Sequence, residues 1–148
     1  ASNGDVFISG QEKDDKGYGN INLFQFDAQG KLKAQFGYKL QETGKEAVAS
    51  ATTHFEFEDV DGKSMNWIVF EMNGSTESKL LLYPRLAKIN LETSEVSDFY
   101  QYGVDKKEAF YVDNTRPIVL IDEGKKAVFF FADKKDKNLW FTRVNLEE

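Results

Sequence analysis

Asn20-Ile21-Asn22-Leu23-Phe24-Gln25-Phe26, then Asp27-Ala28-Gln29-Gly30, then Lys31-Leu32-Lys33-Ala34-Gln35-Phe36-Gly37-Tyr38-Lys39-Leu40 is the stretch that decides the fold class. Its centre is a turn cluster in which Gly30 takes positive φ without a steric cost. The run after the turn alternates. Leu32, Ala34, Phe36, Tyr38 and Leu40 fall on one side, and Lys31, Lys33, Gln35 and Lys39 fall on the other. A period of two marks a half-buried strand. The run before the turn has apolar groups on both sides, through Leu23, Phe24 and Phe26. The reading is a hairpin with two unlike strands. Ile21 to Phe26 is expected between two sheets, and Lys31 to Leu40 is expected at an edge, with Lys31, Lys33 and Lys39 in water.

The same style continues along the chain. Asp5-Val6-Phe7-Ile8-Ser9-Gly10 reads as a short strand, and Gln11 to Gly19 as a polar loop around Asp14-Asp15-Lys16-Gly17. Gln41 to Thr53 reads as a linker with one helical turn over Lys45–Ala51, too short to stand alone. His54 to Glu58 alternates into the turn Asp59-Val60-Asp61-Gly62, and Ser64 to Met72 returns. Pro84 lacks an amide hydrogen, so Lys79 to Tyr83 and Leu86 to Leu91 are expected on either side of an edge or break. Val96 to Tyr102, Ala109 to Val112, Pro117 to Ile121, Ala127 to Phe131 and Asn138 to Leu146 complete the strand pattern, and no sustained 3.6-residue apolar period occurs. The fold class is all-β, built from antiparallel hairpins in a single domain over residues 1–148.

Composition agrees. The 148 residues are 41% hydrophobic, 30% charged and 14% aromatic, with 13 Phe and 6 Tyr, which favours sheet over helix. A chain of this length buries roughly two thirds of its unfolded surface. The net charge of −6 argues against a nucleic-acid partner, because phosphate binding needs a basic face. Without cysteine there is no disulfide, thiolate metal site or thiol nucleophile. No apolar run reaches the roughly 18 residues of a membrane span. The polar start without Met leads us to expect an exported protein.

Turns fall at Gly30, Gly62, Ser94 and Gly124, at spacings of 32, 32 and 30 residues. The runs Ile68-Val69-Phe70, Leu80-Leu81-Leu82, Ile118-Val119-Leu120-Ile121, Phe129-Phe130-Phe131 and Leu139-Trp140-Phe141 are apolar on both sides. Antiparallel hairpins bury both faces when sheets stack on one another. The pattern Val6 to Gly10, loop, Ile21 to Asp27, Gly30-Lys31-Leu32 resembles one blade of a β-propeller. Arg85 to Val96 resembles its inner hairpin, and Asp122 to Leu146 is a looser third case. The WD dipeptide and the kelch double glycine are absent, so no subclass follows. About a dozen strands make about three blades, where closed propellers use roughly four to eight. The resemblance thus implies part of a longer chain or a ring completed by a second copy (a homodimer). The alternative is a single β-barrel or β-sandwich.

No residue pattern assembles a catalytic, cofactor or metal site. His54 is the only histidine, and it is expected exposed on its strand, on the same side as Glu56. Asp59-Val60-Asp61-Gly62 resembles part of a calcium loop but lacks the third acid and the closing Glu, so it reads as a turn, as do Asp14-Asp15 and Asp133 to Asp136. Trp67, Tyr83, Tyr100, Tyr102 and Trp140 are candidates for a sugar or peptide platform, with sheet packing as the rival role. Asn73-Gly74-Ser75 fits both a glycosylation sequon and a turn. The functional expectation is a non-enzymatic binding or scaffold domain for a protein or carbohydrate. Its rivals are a small barrel carrying an apolar ligand and a carbohydrate-active module.

Overall fold

The computed structural model describes residues 1–41, 51–73, 81–101, 110–112, 118–133 and 139–146. Eleven strands are described: β1 Val6–Asp14, β2 Gly17–Phe26, β3 Leu32–Tyr38, β4 Thr53–Glu58, β5 Ser64–Asn73, β6 Leu81–Asn90, β7 Tyr100–Gln101, β8 Phe110–Val112, β9 Ile118–Ile121, β10 Lys126–Asp133 and β11 Leu139–Asn145. All pairings are antiparallel, and no helix occurs among the described residues. The strands form three open sheets: β1-β2-β3, then β4-β5-β6-β7, then β11-β10 with β8 and β9 both on the far side of β10. We call them the first, middle and last sheets. The class is all-β. No described sheet closes on itself, so the described strands form no single barrel.

The sheets stack in chain order, and the two hydrophobic cores show why. Ile21, Leu23, Phe36, Tyr38 and Leu40 of the first sheet pack on Met65, Trp67, Val69, Ile89 and Leu91 of the middle sheet. The opposite face of the middle sheet, through Ile68, Phe70 and Leu86, packs on Ala127, Phe129, Val144 and Leu146 of the last. β5 serves both cores, because successive strand residues point to opposite faces. Its run Trp67, Ile68 and Val69 is completely buried.

Several expectations change in detail. Gln11 to Gly19 is not a loop. β1 runs on to Asp14 and β2 begins at Gly17, whose φ of 125° closes the hairpin. Alternation carries the polar residues outward, so a polar sequence remains a strand here. β6 passes through Pro84 without a break, and its described ladder to β7 reaches only Arg85 and Leu86. Pro84 therefore faces a single described partner strand. Residues 42–50 lie outside the described part, as do the turns at Gly74-Ser75, Gly103 to Lys107, Asn114 to Arg116 and Lys134 to Lys137.

The hairpin at Asp27–Gly30 is present, and β3 is an edge strand as expected. Its lysines do not behave alike. The β2–β3 register shifts between Gln25 and Phe26, which places Leu32 opposite Phe26 and leaves Lys33 in the extra position. Leu32 is turned to the outer face and is 49% exposed, whereas the Lys33 ammonium turns inward to Asp5 at 2.7 Å. Lys31, Lys33 and Lys39 all stay exposed, and among the described residues Lys33 alone adds an ion pair. The inner strand is buried on one side only. Ile21, Leu23 and Gln25 are covered, and Asn22, Phe24 and Phe26 on the other face are half-buried.

Candidate functional site

The junction of the first and middle sheets holds two polar groupings. One is deeply buried. Glu71 on β5 and Arg85 on β6 face the first sheet, with the Arg85 Nη1 atom 2.8 Å from the Glu71 carboxylate and 2.6 Å from the Tyr38 hydroxyl of β3. Tyr38 also donates to Glu71, as does the Gln41 amide. Glu71 is 2% exposed. Removing a charge from water costs several kcal/mol unless hydrogen bonds replace the lost hydration, and here Glu71 receives several. Burial, and then the Glu71 carboxylate, push the Tyr38 hydroxyl well above the usual phenol range. Tyr38 is thus a fixed donor, not an acid. The grouping ties β3, β5 and β6 together, with Phe99 packed edge-on against both Tyr38 and Trp67.

The other grouping lies along β1 and β4, each the edge strand of its sheet. The His54 Nδ1 atom is 2.8 Å from Glu56, and Ser9 donates to the other oxygen of that carboxylate at 3.5 Å. Gln11 donates to Thr52 Oγ1 and accepts from the Thr52 amide, which pins the approach to β4 against β1. His54 and Glu56 share a face, as their two-residue spacing requires. His54 is half-buried rather than exposed, because the first sheet covers that face of β4. A serine, a histidine and a carboxylate meet here in an order unsuited to nucleophilic catalysis. Ser9 bonds the carboxylate and not the imidazole, so no base is placed to take its proton. What this edge offers is a hydroxyl, an amide, an imidazole and a carboxylate in fixed positions.

The remaining candidates are spoken for. The Asp59 carboxylate caps the Val60 amide and pairs with Lys88 at 3.2 Å, and Asp61 caps the Lys63 amide. Glu58 receives Ser2, which lowers its pKa, so the acids of this turn point to separate partners. Asp14 caps Lys16 in its own turn. Trp67 is completely buried and is core, not platform, while Tyr100 is 58% exposed. The side chains of Tyr83, Tyr102 and Trp140, and the segment after Asn73, lie outside the described part. An open groove of about 450 Å³ runs along the β1–β2 hairpin, where the Lys13 ammonium sits over the Tyr18 ring. Among the described residues no helix is long and apolar enough to cross a membrane. The chain matches no family model, no curated protein and no solved structure.

The two sheet junctions also share a device that sequence reasoning missed. Gln25 stands two residues before Asp27, and Lys88 stands two residues before Asn90. Asp27 and Asn90 start related turns, the second longer by one residue. The side chain of each caps amides ahead of it, and Gly30 and Ser94 respectively return an amide to the carbonyl of the starting residue. Gln25 reaches Asp5 of its own sheet at 2.6 Å and the Leu91 carbonyl of the next sheet at 3.4 Å. Lys88 reaches Asp59 of its own sheet and the Leu146 carbonyl of the next. Leu91 and Leu146 follow Asn90 and Asn145, and their amides donate to Lys63 and Lys125. The other turn type repeats as well. Gly4, Gly62 and Gly124 all have positive φ, and their amides return to Ala1, Asp59 and Ile121.

Proposed function

We propose that the chain comprises three successive blades of a β-propeller and serves as a non-enzymatic binding or scaffold domain. The observation that carries this reading is the shared docking device. Each sheet meets the next through a polar side chain two residues before its turn, an acid of its own sheet and a backbone carbonyl of the following sheet. Two unrelated layers of a sandwich have no reason to repeat such a contact, whereas blades around an axis do. The middle sheet has four strands, the blade complement.

In this reading the edge strands β1 and β4 line the inner side of the ring, and their polar groups form the ligand face. Ser9, Gln11, His54 and Glu56 match a carbohydrate or a polar protein segment better than an apolar molecule. Carbohydrate and peptide arrays probed with the wild type and with Glu56→Ala test this. The expected result is a ligand retained by the wild type, weakened about tenfold or more in the variant and not converted chemically. Equal binding by both proteins, or turnover of the bound ligand, would overturn the assignment.

A further inference from the structure

We infer that the outer faces of the first and last sheets bind one another between two copies of this chain, head to tail, completing a ring of six sheets. The inference rests on the propeller reading above and adds the partner. On the outer face of the first sheet, Val6 and Ile8 are 52% and 54% exposed, with Leu32 beside them and Phe24 and Phe26 half-buried. Val6 pairs with Phe26 as Met65 pairs with Ile89 and Ala127 with Val144. The middle and last sheets therefore have Met65 and Trp67, or Ala127 and Phe129, where the first has Val6 and Ile8. A preceding sheet buries all four. The first sheet presents the same apolar face with no described sheet over it.

The last sheet presents the complementary half. Phe141 is 69% and Val119 is 56% exposed on its outer face, next to Phe130 and Val128. Arg143 lies two residues before Asn145, the place held by Gln25 and Lys88 in the other sheets. Its pairing with Val128 puts it on that same outer face. Asp122, in the turn of its own sheet, is bonded by Lys126, which chiefly lowers its pKa, with Lys125 and Arg143 adding less. The docking position is thus held a third time by a long polar side chain, and at the two described junctions its target is the carbonyl of the residue following the turn's Asp or Asn. On the first sheet that residue is Ala28, which is exposed. Cation and carbonyl, and two apolar faces, match in kind and position. Two copies related by a twofold axis use each face once, and six blades fall within the four to eight of closed propellers.

Sedimentation of the chain over a wide concentration range is the test. The expected species is a dimer, and Ile8→Glu or Phe141→Glu should each weaken it about 30-fold or more. Both sites are exposed, so each variant should keep the wild-type circular dichroism spectrum as a folded monomer, with a melting temperature that no longer rises with concentration. A monomer at every concentration overturns the inference, whether or not its exposed faces bind an apolar dye. So does a dimer that both glutamate variants leave intact. Nuclear Overhauser contacts between Phe70 and Phe129 separate the two failures. Their presence in a monomer spares the stacked-blade reading, and their absence removes both.

Discussion

The two junctions around the middle sheet share a docking device and differ in nearly everything else. Between the first and middle sheets, an apolar core around Trp67 surrounds a buried Glu71–Arg85–Tyr38 grouping. Between the middle and last sheets, Ile68, Phe70 and Phe129 form an apolar core with edge-on rings 5.9 Å apart, and Asn66 lies fully buried with no hydrogen-bond partner for its amide among the described residues. One junction is specified by satisfied charge and the other by shape. Satisfied charge fixes a single arrangement, because any slip leaves a buried ion unpaired. Apolar packing tolerates adjustment more readily.

Deleting one charge should break the first junction most severely. Glu71→Ala leaves the Arg85 guanidinium buried without its carboxylate and should cost about 3–5 kcal/mol in chemical denaturation. Replacing Arg85 by Met in the same chain should recover part of that loss. At the second junction, Phe129→Ala should cost about 3 kcal/mol by opening a cavity. A loss much below that would mean that the last sheet is not held by this core.

Asp5 sharpens the comparison through pH. Its own burial would raise the carboxyl pKa, but hydrogen bonds from Lys33, Gln25 and Asn3 outweigh burial and hold it below the ordinary 3.8. A carboxyl with a lower pKa in the folded state adds stability that is complete above 3.8 and fades as pH falls through the folded value. Asp5→Asn should therefore cost about 2 kcal/mol at neutral pH and lessen the loss of melting temperature below pH 4. A mutant with the wild-type acid profile would count against the Asp5–Lys33–Gln25 contact. The smallest expected effect has the opposite sign. Asn66→Leu removes an unpaired buried amide and should stabilise by about 1 kcal/mol.

Much of this was legible in the sequence, for stated reasons. Alternation in Phe36, Tyr38 and Leu40, and two-sided runs such as Trp67 to Phe70, follow directly from strand geometry, so class and stacking could be read. The regular spacing of turns at Gly30, Gly62, Ser94 and Gly124 is also visible in the sequence. Gly30 and Ser94 close turns whose first residue caps amides with its side chain, and Gly62 and Gly124 close turns of the other kind, so the two kinds alternate along the chain. The segments Ile89-Asn90-Leu91 and Val144-Asn145-Leu146 also match. Lys33 is exposed as its alternation implies, but its contact with Asp5 depends on a bulge that leaves no mark in composition. The site was least legible. Glu71, Arg85, Ser9 and Gln11 are ordinary residues in ordinary strands, and only the apposition of two sheets gives them partners.

The most direct test of the stacked arrangement is a nuclear Overhauser map of β5 in the isotope-labelled chain. Met65, Trp67 and Val69 should show contacts to Phe36, Tyr38 and Leu40, while Ile68 and Phe70 should show contacts to Ala127, Phe129 and Val144. Contacts from β5 to only one of these sets would contradict a middle sheet buried on both faces.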